Sequence, residues 1–281
     1  MINVVKCGPI RSAPNPLAMD LIEPHFFGSS ARRMYGVYHA ARGRSRGHGV
    51  VLCPPGPREY MRSHTALRKL AMLLARERFD VLRFDYYATG DSAGESREGS
   101  LSTWRQNIVA AADDLRECSG VRKISVVGFR LGAALAASAP MDMANLVLWE
   151  PVVDGGTYVN ELRALHRRQF GPLLFPPRLP RRGYGGELLG IPLTAAMETE
   201  LYDLDLLREA PPRAEHIAVV VSQQRPEYDR LRERLQNGQS RGAAIEYCLI
   251  PAESQSEQEE AMLVSGRTLQ AMASVLTRRV A

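Results

Sequence analysis

The sequence is poor in the residues that mark several common function classes. Lysine is nearly missing: Lys6, Lys69 and Lys123 are the only lysines among 36 Lys and Arg residues. The four cysteines, Cys7, Cys53, Cys118 and Cys248, form no C-x-x-C pair, and no Cys/His group has zinc spacing. Free thiols in a reducing compartment are therefore expected, with no metal centre and no cofactor read from the chain. No apolar run reaches the roughly 18 residues of a membrane helix, so no membrane span is expected. Residues 1–16 lack a basic start followed by a long apolar stretch. No secretory signal is read there, and the cytoplasm is the expected location. Nor is there a basic face interleaved with aromatics or a known nucleic-acid module, so nucleic acid is not an expected partner.

What is present is an ordinary globular composition of 281 residues, 45% hydrophobic and 24% charged. One large core, or a core with a small insert, fits that length. The formal charge is +5 and almost all of the positive charge is arginine. Arg42-Gly43-Arg44-Ser45-Arg46 and Pro177-Arg178-Leu179-Pro180-Arg181-Arg182 are the densest clusters. They read first as solvated loops, with an acidic partner or membrane surface as the alternative.

Short β-rich runs alternate with helical stretches, which predicts a mostly parallel sheet. Strands are expected at 34–40, 49–53, 79–84, 123–128 and 146–149. Helices are expected at 63–78, from an N-cap at Ser102 to about Cys118, and at 131–139. From about 154 to 213 the chain is helical, rich in Arg and Pro, and shows no clear strand. This reads as an inserted cap within one domain spanning 1–281. The alternation returns with a strand at 217–221, a helix from about Pro226 to Leu235, a strand at 245–250 and a helix from about Glu257 to Val275. The fold class is α/β, a doubly wound, mostly parallel sheet with a helical cap.

The most informative segment is Gly128-Phe129-Arg130-Leu131-Gly132. It follows an apolar strand and opens a small-residue helix, the setting of a G-x-S-x-G nucleophile elbow. Here the chain resembles the α/β-hydrolase superfamily, and more narrowly the hydrolase-like proteins of exosortase systems, relatives of serine aminopeptidases and acyl esterases. CPPGPREYMRSH (Cys53 to His64) resembles the oxyanion loop. FDYYATGDSAG (Phe84 to Gly94) resembles the D-x-x-G-x-G-x-S-x-G turn. Leu148 to Phe170 and Glu187 to Leu206 resemble the strand exit and the cap. The resemblance implies an ester- or thioester-cleaving framework, and a setting of exopolysaccharide production and protein sorting.

The departures from that pattern are as informative. The elbow holds Arg130, and a guanidinium is not a nucleophile. The loop after the strand at 217–221 is Ser222-Gln223-Gln224-Arg225, with no carboxylate before Glu227 and Asp229. No histidine follows the last strand, since His216 is the last in the chain. A hydrolase of this kind needs all three groups.

Two readings follow. In the first, the protein binds a ligand or partner without cleaving it. Arg130, Leu131, Pro55, Glu59 and Glu150 are its candidate ligand-binding residues. Arg130 at a helix N-terminus could bind an anionic small molecule or an acyl or carrier group, or could instead pair internally with Glu59 or Glu150. The cap could recruit a protein partner. In the second reading, a hydrolase or acyltransferase works through displaced residues, with Cys53 and His64 as the candidate catalytic pair. Ser92 and Ser222 are possible nucleophiles by location. Asp85 and Asp91 are read as acceptors for loop amides.

Overall fold

The computed structural model describes residues 21–174, 186–238, 243–251 and 266–280. Among the described residues, eight strands form one sheet in the order β1-β2-β4-β3-β5-β6-β9-β10. They are β1 (Ile22–Ser29), β2 (Arg32–His39), β3 (His48–Cys53), β4 (Asp80–Phe84), β5 (Lys123–Phe129), β6 (Met143–Trp149), β9 (Ala214–Val221) and β10 (Ala244–Leu249). All neighbours from β4 to β10 pair in parallel, whereas β2 runs antiparallel to both β1 and β4. The expected doubly wound, mostly parallel sheet is what forms.

The central strands are apolar because both faces are covered. All six residues of β3 are buried. Helix α1 (Pro57–Arg76) and the final helix (Gly266–Arg279) cover one face, where Leu67, Leu70, Met272 and Leu276 pack on Val50, Leu52 and Val127. Helices α2 (Leu101–Ser119) and α3 (Leu131–Ala137) cover the other. The parallel strands end along one edge, so the loops after β3, β5, β6 and β9 converge there.

Several boundaries differ from the sequence reading. Helix α1 begins at Pro57 rather than Ser63: proline at the first helical position gives up only an N–H that has no partner in any helix. Its first turns, Arg58 to Arg62, carry charge and so blur the apolar stripe. The N-cap of α2 is Ser100, whose side chain accepts from the Thr103 N–H, and not Ser102. Gly120, at φ 73°, ends that helix in the left-handed region. Strand β1 goes unrecognised in the sequence because its edge position leaves only Phe27 buried.

Between β6 and β9 lie α4 (Gly155–Leu174), α5 (Ala195–Asp203) and a small antiparallel pair, β7 (Glu187–Leu188) with β8 (Ile191–Pro192). That pair corrects the expectation of no strand. Two residues per strand carry no periodicity, and only the turn Leu189-Gly190, with both φ positive, marks it. Helix α5 is tied to the start of α2 by Glu200, whose carboxylate accepts from the Leu101 N–H at 2.6 Å and the Ser102 N–H at 3.4 Å. The final helix runs four residues beyond the expected Val275, to Arg279. Its expected beginning at Glu257 and the Arg178–Arg182 cluster lie outside the described residues.

Candidate site at the strand-to-helix elbow

The turn between β5 and α3 is built by its glycines. A Cβ on Gly128 would lie 2.5 Å from the Ala133 Cα, and one on Gly132 would lie 2.2 Å from the Pro54 carbonyl oxygen. Only glycine lets the helix start this close to the β3 exit. The turn residue, Arg130, takes φ 53° and ψ −116°. That sparsely populated region costs on the order of 1–3 kcal/mol, and such strain clusters at functional sites. The Arg130 N–H donates to the Trp149 carbonyl at 2.9 Å, hanging the turn from the end of β6.

The guanidinium is held rather than free. Its Nε donates to Glu59 Oε1 at 3.0 Å, and a terminal nitrogen to Glu161 Oε2 at 3.4 Å. Its centre lies 5.7 Å from the Tyr158 ring centroid. Tyr158 donates its hydroxyl to Glu59 Oε2 at 2.9 Å, so both oxygens of the buried carboxylate are occupied. Gly56 makes room for this bond, since a Cβ there would sit 2.8 Å from the Tyr158 hydroxyl. Burial alone would lower the pKa of Arg130, but the Glu59 carboxylate more than reverses this, and the group is a permanent cation. The Tyr158 hydroxyl is pushed well above its ordinary range, by burial first and then by the Glu59 charge.

Glu150 does not join this network. Strained at φ 46°, it accepts from the Ser222 N–H at 2.5 Å and the Tyr228 hydroxyl at 3.1 Å. It ties the end of β6 to the loop after β9. Of the two pairings open to Arg130, the structure contains the one with Glu59.

Leu131 opens α3, and its N–H has no acceptor within the helix. In the loop after β3, Pro54, Pro55 and Pro57 carry no N–H, which leaves Gly56 as the sole amide of that stretch able to donate. Pro55 can therefore offer a ligand only its carbonyl and ring.

Cys53 and His64 are not brought together. Cys53 is fully buried, with its sulfur beside the Tyr86 hydroxyl, and burial pushes its thiol pKa up, away from a reactive thiolate. His64 is exposed on α1, with its ring nitrogens at the Met61 carbonyl, 3.1 Å, and the Thr65 hydroxyl, 3.3 Å. Ser92 donates to the Asp85 carbonyl and accepts from the Tyr35 N–H, and the Asp85 carboxylate accepts from the Asp91 N–H. These groups hold the turn after β4. The Ser222 N–H holds Glu150.

Among the described residues, two cavities flank the elbow. One, of about 250 Å³, is polar: Arg130, Arg225 and Arg230 face Asp154, Glu161, Asp205 and Glu227. The other, of about 180 Å³, is mainly apolar and is lined by Gly56, Trp104, Leu131, Leu162, Leu189 and Met197 among others. Tyr158 borders both. Tyr158, Glu161, Arg225 and Tyr228 were not legible as site residues. The only signal was the i, i+3 spacing of Tyr158 and Glu161 on the first helix after β6.

No family model and no curated protein matches the sequence. Solved structures do. An esterase from Pyrococcus furiosus, Pf2001, superposes with TM-score 0.62 at 15% identity, over 99% of this chain and 100% of its own. Alpha/beta hydrolase domain-containing protein 10 from mouse gives 0.58 at 16% identity, over 90% and 96%. Proline iminopeptidase from Mycobacterium smegmatis gives 0.60 at 11% identity, over 92% and 99%.

The chain has the α/β-hydrolase fold. The turn at Arg130 lies at the carboxyl end of β5, with the loops after β3, β6 and β9 around it.

Proposed function

We propose that this is a non-hydrolytic protein of the α/β-hydrolase fold, in which Arg130, Glu59 and Tyr158 replace the catalytic groups and the flanking cavities bind a ligand. The observation that carries this reading is the Arg130 to Glu59 bond of 3.0 Å at the elbow itself. A cation locked to a buried carboxylate fills the position from which a nucleophile would attack. The sequence also supplies no acid directly after β9 and no histidine after β10.

The charge balance of the polar cavity argues against a simple anion. Four carboxylates face three guanidiniums, one of them already bound to Glu59. A ligand with a polar head of mixed charge and an apolar chain fits better. The head would lie among Arg225, Glu161 and Glu227, and the chain beside Leu131 and Trp104. An acyl group on a carrier has that form. Residues 154–213, acting as a cap over the cleft, would offer the surface for a protein partner. A setting in exopolysaccharide production and protein sorting is what the exosortase-system resemblance adds to this proposal.

The test is direct. The wild-type protein and Arg130→Ser are assayed with p-nitrophenyl esters and with serine- and thiol-directed activity probes. Neither is expected to turn over ester or to label in the cleft. Turnover by Arg130→Ser, or labelling of Cys53 that an acyl analogue blocks, would overturn the proposal in favour of displaced catalytic residues.

A further inference from the structure

The elbow lies at the carboxyl end of β5. At the β1 edge of the sheet, His25 of β1 meets Asp114 and Cys118 in the last turns of α2. Asp114 and Cys118 are one turn apart on the helix, so their side chains share a face. His25 Nε2 lies 2.7 Å from Asp114 Oδ2 and 4.0 Å from Cys118 Sγ, and Sγ lies 3.8 Å from the same Oδ2. All three are largely shielded: the His25 and Asp114 side chains are 10% and 14% exposed, and Cys118 is buried.

The orientation suits metal ligation better than a proton relay. In a nucleophile–base–acid relay the acid and the nucleophile contact opposite nitrogens of the imidazole. Here carboxylate and sulfur converge on the same nitrogen. The other nitrogen, Nδ1, faces the Glu23 carbonyl at 3.5 Å. Ligating histidines commonly turn their second nitrogen to a carbonyl in this way. One imidazole, one thiolate and one carboxylate make a borderline-soft donor set, with a fourth position left for water. In a tetrahedral zinc site the ligand atoms would stand about 3.4–3.6 Å apart, given bonds of roughly 2.0–2.3 Å. The three observed separations bracket that range, and the adjustment needed is a few tenths of an ångström to under 1 Å. The cluster is invisible in the sequence because His25 lies 89 residues before Asp114.

We propose that His25, Asp114 and Cys118 bind one divalent transition metal ion of the zinc type, which clips the edge strand β1 to helix α2. Binding displaces the proton shared by His25 and Asp114 and ionises the Cys118 thiol.

Cobalt(II) titration of the full-length protein, stripped with chelator, tests this. The expected result is one ion per chain, with a thiolate-to-cobalt charge-transfer band and the visible bands of a four-coordinate ion, all reversed by zinc. Cys118→Ser should abolish the charge-transfer band. His25→Gln and Asp114→Asn should weaken binding by more than the roughly 10–100-fold that losing an outer-shell partner costs. Cys7→Ser and Cys248→Ser should leave the signal intact. Zinc should raise the thermal midpoint of the wild type and not that of Asp114→Asn, a partly exposed site whose metal-free stability serves as the folding control. Absence of cobalt binding, a charge-transfer band that survives Cys118→Ser, or an equal zinc-induced shift in Asp114→Asn would each overturn the proposal.

Discussion

At the scale of single residues, the molecule turns on one buried carboxylate and the cation placed against it. Glu59 is 3% exposed and bonded by both Arg130 and Tyr158. Removing one member of a buried ion pair leaves the other unpaired, at a cost of about 3–5 kcal/mol. Arg130→Met keeps length and loses the charge, so it is expected to destabilise the protein by that amount. Adding Glu59→Gln should recover much of the loss, because an amide needs no counter-ion. Chemical denaturation of the two single variants and the double gives the coupling directly. Additive effects within about 0.5 kcal/mol would mean that the pair is not energetically linked. The sequence named Glu59 and Glu150 equally as partners for Arg130. It could not separate them, because each lies in a loop or helix start that reaches the same edge of the sheet. Backbone geometry decides: the left-handed turn at Glu150 aims its carboxylate at Ser222 and Tyr228.

At the scale of elements, local chemistry was legible wherever period and punctuation agreed. The G-x-x-x-G turn, the apolar strands before and after it and the small-residue helix α3 were all readable, because a tight crossing of strand and helix permits few residue types. Gly132→Ala should therefore cost roughly 3 kcal/mol or more, since its methyl would meet the Pro54 backbone rather than a movable side chain. A thermal midpoint within a degree or two of wild type would refute that close approach. Edge strand β1 and the β7–β8 pair were not legible, since one buries a single side chain and the other is too short to show alternation. The start of α2 was misplaced by two residues, as Ser100 and Ser102 are equally plausible caps by type. The structure separates them: Ser100→Ala should cost about 1 kcal/mol, and Ser102→Ala less than about 0.5. Equal losses in urea unfolding would contradict the assigned cap.

At the scale of the whole molecule, a buried and a half-buried histidine give stability opposite dependences on pH. His48 is 3% exposed, and burial, with Lys123 and Arg46 nearby, lowers its pKa from 6.5 to about 4. It folds neutral. Its contribution is present above pH 6.5 and is lost as pH falls towards 4, in total on the order of 3 kcal/mol at about 1.4 kcal/mol per pKa unit. In the metal-free protein burial alone would also lower His25, but its hydrogen bond to Asp114 raises it overall, so its contribution there is fullest in acid and fades as pH rises through the folded-state value. Thermal midpoints between pH 7 and 4 should fall more gently in His48→Asn than in the wild type. A slope unchanged by the substitution would show that other groups set the acid limit. The overall topology was readable from the alternation of strands and helices, but contacts between distant segments were not. Tyr158 and Glu161 at the elbow and the His25 cluster depend on which chain ends the sheet brings side by side. Arg130 differs from both histidines. Its guanidinium does not titrate anywhere the fold survives, so whatever enters the cleft meets the same positive charge in an acidified vesicle or an alkaline matrix. The part of any selection that rests on Arg130 would therefore not change with the acidity of the surroundings.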